Sequence, residues 1–377
     1  MSNDFENKNS LPDKDENYEN LANNYEAEEL ENDSENSADT AWLIPEEKVK
    51  KESAFIRFLK YLFPWKGDST KEIIRKIIFF VALIVLIVCG VILGGRFIER
   101  QKSDGTYNEL NQWKTEMENM ENTEENWDKI KAQYPDVDFP EGMNIKWARL
   151  YAANQDFVGW INIPGTNISY PLVQGKDNAE YLYLDFNRQD TNYGNPFMDY
   201  RNDIQDLDKN TIIYGHHMRD NMIFAPLKEY KSTSTFQKSP IIELSTLYDD
   251  YTFKIYGVFF TNAYPEQNNG YVFNFMHTTF GSNDNFMEYI EQVDMRKLYT
   301  TGVDIKPTDK IITLNTCAYE FTEARLVVIG RLVREGEDTS VDTSKVYLNS
   351  NPLWPQAYYD KKGIENPFKD YENWYLD

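Results

Sequence analysis

The sequence is poor in the side chains that most often carry catalysis or bind metal ions. Its 377 residues include two cysteines and three histidines. Two cysteines cannot form the disulfide framework of a small secreted domain, and this set does not supply the ligands of a structural zinc site. No acidic cluster has the spacing of a calcium loop. We therefore expect no bound metal and no organic cofactor.

Positive charge is also scarce. Lysine and arginine number 39 against 62 aspartates and glutamates, which gives a formal net charge of −23. Such a chain repels the phosphates on which nucleic-acid binding depends, so nucleic acid is not an expected partner. About half of the charge lies in residues 1–40, where 13 acidic residues face Lys8 and Lys14. We expect residues 1–72 to form an acidic disordered tail that ends in a basic segment.

Charged residues are absent from Ile77 to Leu93, and this apolar run predicts a single transmembrane helix over residues 73–95. Seventeen helical residues span about 26 Å, which is close to the thickness of the bilayer core. More basic residues lie before the run than after it, which predicts a cytoplasmic N-terminus. Those before it are Arg57, Lys60, Lys66, Lys71, Arg75 and Lys76, and those after it are Arg96, Arg100 and Lys102. The remainder of the chain is then extracytoplasmic.

Beyond the apolar run, the pattern predicts a helical linker, a β-rich domain and a C-terminal extension. Apolar residues at helical spacing predict helices over 107–133 and 144–153 within or next to a linker at 96–139. Seven apolar or alternating runs then predict a β barrel or sandwich at 140–335, interrupted by a helix at about 284–297. The runs are 158–163, 168–173, 211–214, 241–244, 251–260, 311–314 and 326–333.

Residues 336–377 are acidic and unusually aromatic. The aromatic residues are Tyr347, Trp354, Tyr358, Tyr359, Phe368, Tyr371, Trp374 and Tyr375. Such a segment can pack on the domain, bind a partner or bind a glycan. We favour packing against the β-rich domain. Deletion of residues 340–377 without a change in stability, activity or oligomeric state would contradict this hypothesis.

Cys317 is the only cysteine on the predicted extracytoplasmic side, because Cys89 lies within the apolar run. A lone exported cysteine is either a reactive thiol or a buried apolar residue. Cys317 follows the run 311–314, and the end of a strand is a rigid position from which a side chain can reach a cleft. These observations alone favour neither interpretation.

A reactive thiol requires a nearby base or cation, and the only imidazoles are those of His216, His217 and His277. His216 and His217 follow the run 211–214, and adjacent residues of an extended segment point to opposite faces, so only one of them can face the thiol. Spacing does not say which one. Arg325 opens the run 326–333, and if that strand pairs with the one carrying Cys317, its guanidinium lies near the thiol and can stabilise an oxyanion.

These segments together resemble the class B sortases, a family of cysteine transpeptidases of Gram-positive cell surfaces. Thr313 to Cys317, followed by Arg325, resembles the family's nucleophile signature, and Tyr214 to Met218 is similar to its histidine segment. Three more stretches extend the resemblance across residues 140–335. They are 158–166, 170–174 and 197–202.

The resemblance implies a closed eight-stranded sortase β barrel with N-terminal helices and one additional helix. It implies Cys317 as the nucleophile, His216 as the catalytic imidazole and Arg325 as the oxyanion donor. The positions that match the family's substrate-binding residues are Asn178, Leu182, Asn315 and Tyr271. Asn315 departs from the serine that many relatives carry there, which leaves the preferred sorting motif open.

The implied reaction is cleavage of a C-terminal sorting signal of an exported protein after a threonine. The acyl group then passes from a Cys317 thioester to an amine, which belongs to a cell-wall precursor or a pilin lysine. Two other interpretations stay open at this point. One is an exported cysteine peptidase that mainly hydrolyses the thioester, and the other is a non-catalytic membrane-tethered binding or scaffold protein.

Overall fold

The structure, a computed structural model, describes residues 53–376, so most of the predicted acidic tail lies outside the described residues. The chain divides into two compact units, one ending at Val81 and the other beginning at Ala82. In the first unit, helix α1 (Ala54–Leu62) begins at Ser53, whose hydroxyl accepts a hydrogen bond from the backbone N–H of Ile56. This capping bond satisfies one of the free amides of the first helical turn.

Helix α2 (Thr70–Met117) contains the apolar run and is long and apolar enough to cross a membrane; no other helix in residues 53–376 is. It continues without a break from the predicted span through Gly94 and Gly95 to Met117. The prediction of one helix over 107–133 is wrong. The chain turns after Met117, and a new helix, α3 (Glu124–Gln133), begins at Thr123, whose side chain accepts a hydrogen bond from the backbone of Asn126.

The remaining elements follow in a mainly β arrangement. The helices are α4 (Ala148–Ala153), α5 (Thr233–Lys238), α6 (Asn283–Arg296) and α7 (Gln356–Lys362). The strands are β1 (Phe157–Asn162), β2 (Ser169–Val173), β3 (Phe197–Met198), β4 (Asn210–Tyr214), β5 (Ile241–Thr246), β6 (Asp250–Asn262), β7 (Tyr299–Thr300), β8 (Ile311–Ala318), β9 (Ala324–Leu332) and β10 (Tyr347–Leu348). The helix predicted at 144–153 consists of a 3₁₀ turn at Ile145–Trp147 followed by α4.

Eight of these strands close into a barrel in the order β1-β2-β3-β4-β8-β9-β6-β5. This confirms the closed barrel, and all seven strands predicted from apolar runs are present. The eighth, β3, has two residues, too few to show an alternating pattern in the sequence. Most neighbours are antiparallel, but β4 runs parallel to β8, which places the C-terminal ends of both strands at the same rim.

Side chains of the barrel strands alternate between an inner and an outer apolar cluster. On β8, Ile312 and Leu314 belong to the inner core, whereas Ile311 belongs to the outer cluster. Helix α6 covers that outer cluster with Phe286, Tyr289, Ile290 and Val293, as the sequence predicted. Odd-numbered residues of β8 therefore point to the outer face.

The C-terminal extension packs on the barrel, which confirms the predicted packing against the β-rich domain. Its Trp354 ring stacks on Phe260 of β6 with 5.1 Å between ring centroids, and Tyr358 stacks on Trp354 at 3.9 Å. Strand β10 pairs with β7, and the backbone N–H of Leu353 donates to the carbonyl of Met295. The extension is therefore held by both aromatic contacts and backbone hydrogen bonds.

We expect Trp354→Ala to lower the free energy of unfolding by roughly 2–3 kcal/mol, because it removes a half-buried ring held between two others. Chemical unfolding of the full chain in detergent, followed by tryptophan fluorescence and circular dichroism, measures this. Tyr347→Ala, on a side chain 67% exposed, is the control and should change stability by less than about 0.5 kcal/mol. Equal stability of the two variants would mean that the extension contributes nothing through Trp354.

Candidate active site

Cys317 and Arg325 face each other across two antiparallel strands. They are register partners in the pairing of β8 with β9, and directly opposed residues project to the same face of a sheet. By the alternation on β8, that face is the outer one. The Arg325 guanidinium lies 3.6 Å from Glu323 and donates a hydrogen bond to the carbonyl of Ala324, which holds it at the end of β9. The predicted pairing is therefore confirmed.

His216 follows β4, which pairs with the edge of β8 opposite to β9. Tyr214 at the end of β4 is the register partner of Asn315, and the backbone N–H of Gly215 continues the ladder to the carbonyl of Asn315. His216 lies two residues beyond Tyr214, and the next residue, His217, contacts the backbone of Cys317.

A hydrogen bond and two glycines hold the His216 ring. Its Nε2 donates to the carbonyl of Leu182 at 2.7 Å, because a carbonyl oxygen only accepts. A Cβ on Gly215 would lie 2.6 Å from the Phe224 ring. At Gly194, with φ +61°, it would lie 2.7 Å from the Leu182 carbonyl and 3.0 Å from the His216 ring. Any larger side chain at either position would displace the histidine loop.

His217 contacts the backbone of the cysteine instead. Its Nδ1 donates to the carbonyl of Cys317 at 2.7 Å, and its ring packs on Tyr319 at 5.0 Å. His277 lies elsewhere, because its carbonyl accepts a hydrogen bond from the side chain of Asn210 at the opposite end of β4. Six extended residues separate that end from His216, a distance of about 20 Å. The structure therefore places two of the three histidines near Cys317.

The buried carboxylate of Asp199 holds several polar side chains in place around Tyr214. Asp199 is fully buried and accepts hydrogen bonds from Arg201, the Tyr214 hydroxyl and the Asn178 amide at 2.8–2.9 Å. Burial alone would raise the pKa of Asp199, but these donors hold it below its usual value. Burial and the neighbouring Asp199 charge raise the pKa of Tyr214, so its hydroxyl stays protonated. Asp199 therefore links Asn178 to Tyr214, which is the register partner of Asn315.

Sequence reasoning assigned no role to Asp199 or Tyr214, although both lie in segments that carried the resemblance. The sequence did contain a signal for them. A carboxylate and an arginine, two residues apart, directly follow the apolar pair Phe197 and Met198, which indicates an ion pair at the end of a buried strand. An ion pair next to a strand end is costly to bury unless it holds other polar groups in place. Here it holds Asn178 and Tyr214.

The four residues matched to substrate binding have different surroundings. Asn315 lies two residues before Cys317 on the same face, and its buried Oδ1 has no hydrogen-bond partner among residues 53–376. Leu182 is half-buried and holds His216 through its carbonyl. The Tyr271 hydroxyl donates to the carbonyl of Trp374 in the C-terminal extension at 2.8 Å, and its ring packs edge-on against Tyr375. Tyr271 is 3% exposed, so the extension covers it.

Comparison with known proteins agrees with this geometry. The family model for the sortase domain matches residues 161–333. Sortase B of Staphylococcus aureus is 30% identical over 253 residues, which cover 67% of this chain and 95% of that protein. The chain belongs to the class B sortases. Sortase B of Listeria monocytogenes is 36% identical over 186 residues, 49% of this chain and 72% of that protein.

The barrel of this sortase also resembles solved structures. The Staphylococcus aureus sortase B–substrate complex superposes with a TM-score of 0.51 at 29% identity, covering 63% of this chain and 99% of that one. The chain is therefore a cysteine transpeptidase of the sortase type. In the described part of this sortase, no group of three or more His, Cys, Asp and Glu side chains is placed to hold a metal ion.

Proposed function

We propose that Cys317, His216 and Arg325 form the catalytic centre. The observation that carries this proposal is their arrangement: Cys317 and Arg325 are opposite each other on β8 and β9, and His216 follows β4, which pairs with the other edge of β8, at the same rim of the barrel. A thiol flanked by an imidazole and a guanidinium has the parts that acyl transfer requires. These are a nucleophile, a group that moves protons and a donor for the oxyanion.

In this mechanism the Cys317 thiolate attacks the carbonyl carbon of a threonine in the substrate. The carbonyl oxygen becomes an oxyanion, which Arg325 and a backbone amide beside the thiol stabilise. The C–N bond breaks, His216 donates a proton to the departing amine, and a thioester remains. An incoming amine then attacks the thioester, gives a proton to His216 and releases Cys317, so that a new amide bond replaces the old one.

The substrate is a C-terminal sorting signal of an exported protein. Asn315 supports a peptide site here, because a buried amide oxygen without a partner costs about 1–3 kcal/mol and a peptide N–H or amide would satisfy it. Asn178, fixed by Asp199, and Leu182, next to His216, line the approach to Cys317. Tyr271 also belongs to this site, at a position that the C-terminal extension covers.

The enzyme acts at the cell membrane. Helix α2 anchors it with the N-terminus cytoplasmic and the catalytic domain extracytoplasmic, in keeping with the excess of basic residues before the apolar run. The acceptor amine belongs to a cell-wall precursor or to a pilin lysine. Neither acceptor has a distinguishing feature in the described residues.

The test offers the full chain in detergent a library of sorting-signal peptides together with competing amines, and identifies products by mass spectrometry. Cleavage after threonine, joined to the amine and dependent on Cys317, supports the proposal. The same peptides released only as free acids would indicate a peptidase. A peptide adduct on any residue other than Cys317 would overturn the mechanism.

We expect Arg325→Ala to lower kcat by about 10²–10³, the usual loss for a single oxyanion donor. Arg325→Lys should recover only part of the rate, because an ammonium keeps the charge but lacks the fork of N–H donors. Steady-state kinetics with one cleavable peptide separates kcat from KM. A change confined to KM would assign Arg325 to substrate binding instead of the oxyanion.

A further inference from the structure

A cavity of about 540 Å³ lies beside the catalytic centre, between helix α2 and the loop after β4. One wall comes from Arg96, Phe97 and Arg100 of α2, and the opposite wall from His217, Met218 and Arg219. The apolar part of the lining comes from Phe97, Tyr193 and Met218, and the Phe97 side chain is 63% exposed. The resemblance and the proposed mechanism give the cavity no role.

The cavity opens at the height of the lipid headgroups. The apolar run ends at Leu93, and Arg96 and Arg100 follow it by three and seven residues, or about 4.5 and 10 Å along the helix. The headgroup layer of a bilayer is about 5–8 Å thick on each side. Both arginines therefore lie in or just above that layer if α2 spans the membrane as proposed.

Glu99 fixes the catalytic domain at the same height. Its carboxylate accepts hydrogen bonds from the backbone N–H and the side-chain amide of Asn192 at 2.8 and 3.0 Å. Burial opposes the charged form, but these donors hold the pKa of Glu99 below its usual value. The loops that carry Asn192 and Arg219 therefore stay at the first turns of α2 beyond the apolar run.

The charges of the cavity favour an anion. Of its two carboxylates, Glu99 accepts hydrogen bonds from Asn192, and Oδ2 of Asp220 accepts one from the Tyr193 hydroxyl and lies 3.9 Å from Arg100, while Oδ1 of Asp220 has no hydrogen-bond partner among the described residues. Arg96 and Arg219 have no carboxylate within 4.0 Å in the part of the chain that the structure describes. Two free guanidiniums above apolar walls match a phosphate attached to hydrocarbon chains.

We propose that this cavity binds the phosphate headgroup of an anionic phospholipid of the outer leaflet, with its chains against Phe97 and Met218. The proposal rests on the membrane topology given under the proposed function. Because His217 lines the cavity and donates to the carbonyl of Cys317, the bound lipid lies next to the loop that carries the catalytic histidine. The lipid holds the active-site rim on the bilayer surface, where membrane-held sorting signals emerge.

The test reconstitutes the full chain in nanodiscs of equal parts phosphatidylcholine and phosphatidylglycerol, and native mass spectrometry counts the lipids that the protein retains. Retention of one phosphatidylglycerol over phosphatidylcholine is expected. Arg96→Gln and Arg219→Gln should each weaken that retention roughly fivefold, the usual effect of one basic residue at a membrane surface. Lys102→Gln removes an exposed charge from the same helix outside the cavity and is the matched control.

Three outcomes overturn the proposal: no preference for phosphatidylglycerol, equal loss in Lys102→Gln, or displacement of the lipid by glycerol phosphate alone, which would indicate a site for a soluble anion. Peptide cleavage is measured in the same nanodiscs. Cysteine-dependent cleavage without lipid selectivity refutes the lipid site and leaves the proposed function intact. Failure of the chain to remain in nanodiscs refutes the proposed anchoring instead.

Discussion

Cys317→Ala is expected to abolish both cleavage and amide formation, with a fall of at least about 10⁴ in kcat/KM. Alanine removes the sulfur that carries the acyl group, and the other groups of the centre cannot form a thioester without it. The variant should fold, because Cys317 is half-buried at the end of β8 and its backbone pairing with Arg325 does not involve the sulfur. Circular dichroism and the thermal midpoint check the fold.

Cys89→Ala is the matched control for this variant. Cys89 is the second cysteine of the chain and lies in the apolar run of α2, with its side chain exposed in the described structure. Its removal should leave activity unchanged and make Cys317 the single target of a thiol-modifying reagent. Full function in Cys317→Ala, or full function of Cys89→Ala after treatment with such a reagent, would contradict the enzyme mechanism and favour a binding or scaffold protein.

His216→Ala should lower kcat/KM by about 10³, within the usual range for loss of a general acid and base. In the proposed mechanism the imidazole is needed twice, once to protonate the leaving amine and once to accept a proton from the incoming one. Steady-state kinetics of the wild type and the variant with one cleavable peptide measures the loss.

His217→Ala provides the comparison, since it removes an adjacent imidazole in the same loop. Its Nδ1 donates to the carbonyl of Cys317, so the loss is that of one positioning hydrogen bond, less than about tenfold. A loss in His217→Ala as large as in His216→Ala, or larger, would contradict the assignment of the proton-moving role to His216.

The sequence alone located much of this site because it contains few residues that can act as a nucleophile or a base. With one cysteine beyond the apolar run, the nucleophile had a single candidate, and apolar runs placed seven barrel strands and helix α6 correctly. These predictions depend on local patterns, which the chain displays directly as spacing between apolar residues. The apolar spacing continues through residues 107–133, but the chain leaves one helix within that range and starts a new one at the N-cap residue Thr123. The prediction of one helix was therefore wrong.

Other features depend on residues far apart in the chain. Strand β3 has only two residues, and its place in the barrel comes from pairing with β2 and β4. The link from Asp199 to Asn178 and Tyr214 joins segments 15 to 21 residues apart. The cover over Tyr271 comes from Trp374, 103 residues later. The spacing of apolar residues along the chain does not predict such long-range contacts.

The sequence by itself determined the thiol, the strands that carry it and its neighbours, and the family to which these segments belong. The tertiary structure decided that His217 bonds the backbone of Cys317, since the parallel register of β4 and β8 brings the C-terminal ends of both strands to one rim. It also decided that this rim lies beside the first turns of α2 beyond the apolar run. Periodicity tells which side chains of one strand share a face, whereas only packing tells which strands and helices are neighbours.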